Sequence, residues 1–177
     1  MTVRKAHCKD LQAVAEIYNQ IHTEEEAGRT TTCWIRDVYP TIQTASSALE
    51  RDDLFVMEND EGEVIGSAII NQLQVDVYAD GSWQHNAPPE EVMVLHTLVI
   101  SPSRARMGFG KGFVRFYEEY ALTNGCRFLR MDTNAKNLTA RAVYEKLGYR
   151  EAGIVPCVFN GIKGVELVLL EKYLADC

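Results

Sequence analysis

The chain has 177 residues, 46% of them hydrophobic and 24% charged, enough for one globular domain with a substantial core. A formal net charge of −7 makes it a poor general binder of nucleic acid, and no apolar run approaches the roughly 20 residues of a membrane span. Cys8, Cys33, Cys126, Cys157 and Cys177 form no C-x-x-C pair, and the polar start Met-Thr-Val-Arg-Lys lacks a signal-peptide apolar stretch, so the expectation is a reduced, cytoplasmic protein without metal.

Thr2 to His7 reads as a first strand. Asp10 is placed to cap a helix whose buried face is Leu11, Val14, Ile17, Tyr18 and Ile21. Glu24-Glu25-Glu26-Ala27-Gly28 ends it. Arg29 to Pro40 is irregular and holds Cys33, Trp34 and Tyr39, and a second helix covers Ile42 to Glu50. Leu54–Glu58 and Val64–Val75 read as a hairpin about the turn Asn59-Asp60-Glu61-Gly62. Asp76 to Glu90 is a long loop with Tyr78, Trp83, His85 and Pro88-Pro89. A strand over Val92–Ile100, a Gly-rich turn and a helix to Thr123 follow. A strand over Arg127–Thr133, a short helix over Leu138–Lys146 and two strands, Tyr149–Phe159 and Val165–Tyr173, complete the chain. The order predicts a mixed α/β domain over residues 1–177, without repeats or linkers.

Charge is uneven. Residues 1–90 sum to −10 and residues 91–177 to +3. The basic half suits an anionic cofactor. The acidic half suits a cationic acceptor such as an amine, or is solvated surface.

The turn between Ile100 and Phe113 carries most of the information. Pro102 ends an apolar strand, Arg104, Arg106 and Lys111 bring positive charge, and Gly108, Gly110 and Gly112 stand at the start of a helix with Phe113, Phe116, Tyr117 and Tyr120 on one face. Glycines admit a ligand close to the backbone, and a helix N-terminus offers unpaired N–H donors, so the turn suits a phosphate. A P-loop fails, because Ala105 replaces the first glycine and Gly112 the Ser/Thr. A dinucleotide turn would need G-x-G-x-x-G directly after the strand, with Asp132 imitating the ribose-binding acid. Coenzyme A, with a pyrophosphate and an extended pantetheine arm, is the third reading.

Leu98-Val-Ile-Ser-Pro followed by Arg106-Met-Gly-Phe-Gly-Lys111 resembles the pyrophosphate-binding motif of the GNAT superfamily of N-acetyltransferases. Asn137-Leu-Thr-Ala-Arg-Ala-Val-Tyr-Glu-Lys-Leu-Gly-Tyr149 resembles that family's second hallmark. The match is strong over residues 92–149, apart from Ala105, which stands where the family usually has Gln or Arg. There Arg104 and Arg106 are the charges at hand. The resemblance implies a central, mostly antiparallel mixed sheet of about seven strands with about four helices, splayed between the fourth and fifth strands. It implies acetyl-CoA as acetyl donor, bound by Leu98, Val99, Ile100, Arg106, Met107, Gly108, Phe109, Gly110, Lys111, Asn137 and Tyr144, and an amine acceptor.

Direct transfer needs a base for the ammonium and an acid for the departing thiolate. The resemblance implies Tyr144 as the acid. His96 is the candidate base, because Leu95-His-Thr-Leu98 also resembles the corresponding strand of arylalkylamine N-acetyltransferases; Glu24–Glu26, Glu91, His85 or water are alternatives, and a hydrogen-bonded core histidine is the structural one. No cysteine has nucleophile-like neighbours, which implies a ternary complex. Trp34, Tyr39, Tyr78 and Trp83 either line an acceptor pocket or cap the core. A CoA-binding sensor without catalysis is the competing class. The apolar strand Val165–Leu170 is suited to a homodimer contact if it lies at a sheet edge.

Overall fold

The computed structural model of the chain describes residues 1–175. Seven strands form one sheet: β1 (Thr2–Lys5), β2 (Leu54–Glu58), β3 (Val64–Asn71), β4 (Val92–Ile100), β5 (Phe128–Asn134), β6 (Arg150–Phe159) and β7 (Ile162–Tyr173). Their order is β1-β2-β3-β4-β5-β7-β6, and every neighbouring pair is antiparallel except β4 and β5. The helices are α1 (Leu11–Glu26), α2 (Ile42–Glu50), α3 (Phe109–Thr123) and α4 (Leu138–Lys146). This is the mixed α/β architecture, with the expected sheet and helix complement.

Helices cover both faces. Leu54 and Val56 of β2 meet Val14, Ile17 and Tyr18 of α1 and Ala45 and Ala48 of α2. Phe55 and Met57 point the other way, toward Phe113 and Tyr117 of α3. A strand covered on both sides needs apolar residues at every position, so β2 reads Leu-Phe-Val-Met without alternation. Each such buried side chain contributes about 1.5–3 kcal/mol relative to an exposed one. A third cluster gathers Tyr78 with Val92, Val94, Leu167 and Leu169 beneath the segment that joins β3 to β4.

Several boundaries differ from the sequence reading, each for a local reason. Asp10 does not cap α1 with its side chain; it is buried, accepts the His7 N–H at 2.8 Å, and pairs with Arg4 at 2.7 Å, closing a 3-10 turn over Cys8–Asp10. β3 stops at Asn71 rather than Val75, because Asn71 Oδ1 accepts the Leu73 N–H at 2.9 Å and turns the chain. The long loop contains 3-10 turns at Asp76–Asp80 and Pro89–Glu91. β5 is shifted one residue, to Phe128–Asn134. β7 begins at Ile162, not Val165, because Asn160 and Gly161 both take left-handed φ values (49° and 83°) in a two-residue hairpin turn. β7 also lies between β5 and β6, so Val165–Leu170 is inside the sheet and the edge suited to a dimer contact is not where these residues sit.

Candidate functional site

The site begins where two strands part. β4 and β5 pair from Val92–Phe128 to Leu95–Met131 and then no further, although both continue, to Ile100 and Asn134. A bulge opens the split on the β4 side. Ser67 pairs with Val99 and Ile69 with His96, so Ala68 faces both Thr97 and Leu98. Thr97 takes a left-handed φ of 51°, which costs a β-branched residue about 1–3 kcal/mol and is held here by a hydrogen bond between its hydroxyl and that of Tyr39. The extra residue resets the alternation. Met93 and Leu95 pack on the α3 face before the bulge, and Leu98 and Ile100 do so after it. Below the split the Tyr117 hydroxyl donates to the Met93 carbonyl at 2.6 Å and lies 3.2 Å from the Arg130 carbonyl, tying α3 to both strands. Beyond it, Leu98, Val99 and Ile100 have no strand on their β5 side. That exposed edge can bind an amide-containing arm as a partial extra strand.

The Gly-rich turn stands at the end of this edge. Gly108 precedes α3 in a left-handed conformation (φ 88°), and the first helical bond runs from the Gly112 N–H to the Gly108 carbonyl at 3.0 Å. The N–H groups of Phe109, Gly110 and Lys111 therefore lack helical partners and face outward from a positive helix end. A Cβ on Gly108 would meet nothing within 4 Å, so its open side is available to a ligand. Arg106 and Lys111 are exposed and form no ion pair among the described residues. Arg104 is partly committed to Glu63 at 3.3 Å, which leaves Arg106 as the arginine beside Ala105 without an ion pair among the described residues. Met107 is exposed on the turn, and Phe109 packs into the core behind it.

The split opens into a cleft. Cys33, Trp34 and Tyr39 form one wall, His96 to Leu98 and Met131 to Asn134 the two strand ends, Asn137, Ala140 and Tyr144 the α4 side, and Phe159, Ile162 and Val165 the floor. Asn137 and Tyr144 both reach it, as their spacing implies. Asn137 is also the N-cap of α4, accepting the Ala140 N–H at 3.2 Å, so its Oδ1 is engaged while its amide N–H groups remain. The Tyr144 hydroxyl has no hydrogen-bond partner among the described residues, and burial, followed by the charge of Asp132, pushes its pKa up to about 12. It is a protonated phenol at neutral pH.

His96 lines the cleft, but not as a freely titrating imidazole. Its Nε2 stands 3.1 Å from Asn71 Oδ1, and Asn71 Nδ2 donates to Asp53 at 3.0 Å. Asn71 Oδ1 can only accept, so Nε2 carries the hydrogen and Nδ1 the lone pair. Burial lowers the His96 pKa to about 4, against a smaller upward pull from the Leu73 backbone and Asp53.

Asp132 is the cleft residue that sequence reasoning did not weigh as an acid-base candidate, having weighed it only as a ribose ligand. It is partly accessible, lines the cleft, and accepts the Tyr78 hydroxyl at 2.8 Å. Burial raises its pKa to about 6, and the Tyr78 hydrogen bond opposes that rise. One signal was in the sequence: Asp132 follows Phe128-Leu-Arg-Met131 in a strand both of whose faces are needed for packing. Cys33 also enters the cleft unannounced, but burial raises its thiol pKa, which keeps it protonated and unsuited to attack.

The remaining candidates fall elsewhere. Glu24 and Glu26 pair with Arg29 and Arg36, both at 2.7 Å. Glu25 accepts from the Thr30 and Thr32 hydroxyls and the Thr32 and Cys33 N–H groups at 2.7–3.0 Å, fixing the segment that walls the cleft. His85 stacks near Phe128 and Tyr173 at the far end of β5, and Glu91 sits in the 3-10 turn before β4. Trp34 and Tyr39 line the cleft. Tyr78 and Trp83 cap the third cluster instead, with the Arg130 guanidinium 4.1 Å from the Trp83 ring centroid.

The comparisons agree with this geometry. The uncharacterized N-acetyltransferase YhfO of Bacillus subtilis (strain 168) is 25% identical over 159 residues, 85% of this chain and 91% of that protein. A GNAT family acetyltransferase from Streptococcus agalactiae 2603 superposes with a TM-score of 0.82 at 22% identity, covering 99% of this chain and 96% of the other. The structure of yncA from Salmonella typhimurium with its cofactor acetyl-CoA gives 0.70 at 18% identity, covering 100% and 95%. The model of the acetyltransferase (GNAT) family matches residues 11–149, from the first helix through the second hallmark. With the fourth and fifth strands parted above that helix-capping turn, the chain belongs to the acetyltransferase (GNAT) family.

Proposed function

We propose that the protein moves an acetyl group from acetyl-CoA to an amine, of a small molecule, amino acid or peptide, by direct attack in a ternary complex. The observation that carries this reading is the parting of β4 from β5 beside the unpaired N–H groups of α3. The residues present fit the donor. Gly108, Phe109, Gly110 and Lys111 offer main-chain N–H groups and open space to a pyrophosphate, with Arg106 and Lys111 supplying charge. The β4 edge at Leu98–Ile100 and the free amide of Asn137 suit the pantetheine arm. The solved relative with its cofactor acetyl-CoA supports the same assignment.

Acetyl-CoA, when bound, supplies an acetyl group activated as a thioester, which passes from sulfur to the acceptor nitrogen. Two residues of the cleft serve the proton movements. Asp132 takes the proton that the acceptor ammonium must lose. Its pKa of about 6 makes it a carboxylate at pH 7 and matches it to that pH better than His96 at about 4. Tyr144, a phenol with an unengaged O–H, donates to the departing sulfur. His96 then orients the β4 edge through Asn71. The raised thiol pKa of Cys33 favours the ternary route over an acetyl-cysteine.

The test is acetyl-CoA turnover against a broad amine panel, following free thiol, with acetyl-CoA affinity measured by calorimetry. Thiol release that depends on an amine is the expected outcome. Tight acetyl-CoA binding without release from any amine would assign the protein to sensing or assembly instead.

A further inference from the structure

The segment between β3 and β4 crosses the sheet face opposite α3 and is fastened at several points. The Trp83 Nε1 donates to the Tyr78 carbonyl at 2.6 Å, Arg130 lies over the Trp83 ring and donates to Gln74 and to the His85 carbonyl, and the Ser82 N–H donates to the Ala152 carbonyl at 2.7 Å. These attachments hold Tyr78, which is 3% exposed, with its ring edge-on to Trp83. Its hydroxyl emerges beneath the cleft and donates to Asp132 at 2.8 Å. No packing argument requires that hydroxyl. A phenylalanine would fill the same space among Val92, Val94 and Leu169.

We propose that Tyr78 is a positioning residue for the acetyl-transfer site, holding the Asp132 carboxylate toward the acceptor and stabilising its charged form, so that the strap between β3 and β4 sets the pH range in which the base works. This rests on the reading of Asp132 as the proton acceptor. Among the described residues, the other titratable groups that share the cleft with Asp132 or feel its charge are Cys33 and Tyr39 from the cleft wall, Tyr144 from α4, Cys157 from β6 and His96 from β4. Burial keeps the phenols and the thiols protonated and the imidazole neutral at pH 7. Arg130, two residues back, is turned to Gln74, His85 and Trp83. The Tyr78 O–H is thus the hydrogen bond that favours the Asp132 anion among the described residues. A donor to a carboxylate lowers its pKa.

The experiment has two arms. In the first, the free protein carrying ¹³C-labelled Asp and Tyr is titrated by NMR. The Asp132 carboxyl and Tyr78 Cζ signals are expected to move with one midpoint, and Tyr78→Phe is expected to raise the carboxyl midpoint by about one pH unit, tenfold in proton affinity. The wild-type titration decides the pairing even if Tyr78→Phe does not fold. A Tyr78 signal that ignores the Asp132 midpoint overturns the proposal. In the second arm, the acid limb of kcat/KM should shift upward in Tyr78→Phe with acetyl-CoA affinity unchanged. An unmoved limb beside a moved carboxyl midpoint overturns the link to catalysis. Coupled signals in a protein that turns over no amine would keep the pair but overturn both that link and the acetyltransferase reading, so the two failures are told apart.

Discussion

His96 and Asp132 each stand one residue beyond Leu95 and Met131, the last pair that joins β4 to β5. The two candidate bases therefore occupy matching positions on either side of the split, and their environments push them in opposite directions. Burial lowers the histidine to about 4 and raises the aspartate to about 6. Desolvation opposes charge in both, which is the cationic form of one and the anionic form of the other. The acid limb of kcat/KM distinguishes them. With Asp132 as base, activity falls as pH drops through about 6. Asp132→Asn should remove that limb and about 10²–10⁴ of the rate. A limb near 4 that vanishes in His96→Ala would return the role to the histidine.

The same carboxylate is expected to cost stability. Asp132 rises from 3.8 in the unfolded chain to about 6 when folded. Between those values the folded state holds more protons than the unfolded one, so its stability falls as pH rises through that window. Above pH 6 the cost is roughly 3 kcal/mol at most. Asp132→Asn keeps the shape and an oxygen for Tyr78. It should melt with the wild type below about pH 4 and higher than the wild type above pH 6. A variant no more stable than wild type at pH 8 would contradict the burial argument.

Much of this architecture was legible because it depends on local signals. Gly108 before an amphipathic run announces the α3 turn, and the periodic run stopped by Gly148 announces the helix Leu138–Lys146. The missed features depend on contacts between distant segments. The Thr97 bulge carries no glycine and is fixed from outside by Tyr39, 58 positions away. The Asp132 carboxyl owes its raised pKa to burial that no spacing reveals, tempered by a hydrogen bond from Tyr78, 54 positions away. Whether Val165–Leu170 lies at an edge was open in the sequence for a related reason. Strand order is set by which strand of the last hairpin β5 accepts as its neighbour, and β7 rather than β6 takes that place.

Gly108→Val tests the donor site. The left-handed φ of 88° disfavours a β-branched residue, while the absence of any atom within 4 Å of the added Cβ means nothing in the protein is struck. The loss should appear chiefly against the ligand. CoA affinity is expected to fall at least tenfold, about 1.4 kcal/mol. Calorimetry on a folded variant that binds CoA as tightly as wild type would remove the turn as the pyrophosphate site. NAD or ATP binding in preference to CoA would overturn the donor assignment.

Glu25→Gln tests the acceptor wall. One carboxylate receives four hydrogen bonds from residues 30–33. Glutamine keeps one acceptor oxygen and turns an NH₂ toward the remaining donors, so the wall carrying Cys33 and Trp34 loosens. The KM for a good amine acceptor should rise about tenfold, with acetyl-CoA affinity and kcat nearly unchanged. Equal loss in kcat at saturating acceptor would mean that the segment acts on the chemistry rather than on acceptor binding.

Tyr144→Phe tests the acid. The ring packs at the edge of the α3 core with its centroid 6.1 Å from that of Tyr149, and phenylalanine preserves that contact. The hydroxyl faces the cleft without a partner among the described residues, so its removal leaves no protein group unsatisfied. Stability and acetyl-CoA affinity should both be close to wild type. If the hydroxyl protonates the leaving sulfur, kcat should fall by about 10²–10⁴. A packing role predicts the reverse. Removing the hydroxyl would then change little, and Tyr144→Ala would destabilise through the cavity it leaves, by about 3–5 kcal/mol for a fully buried ring and less at this partly buried site. Product release can hide a chemical defect, so the comparison belongs in single-turnover measurements at saturating acetyl-CoA. The phenol pKa of about 12 adds a second readout. It leaves the acid protonated throughout the working range, so no basic limb below about pH 10 should be traceable to Tyr144, and any such limb must persist in the Phe variant. A Phe variant turning over within about twofold of wild type would rule the acid role out, because a positioned acid contributes far more than that.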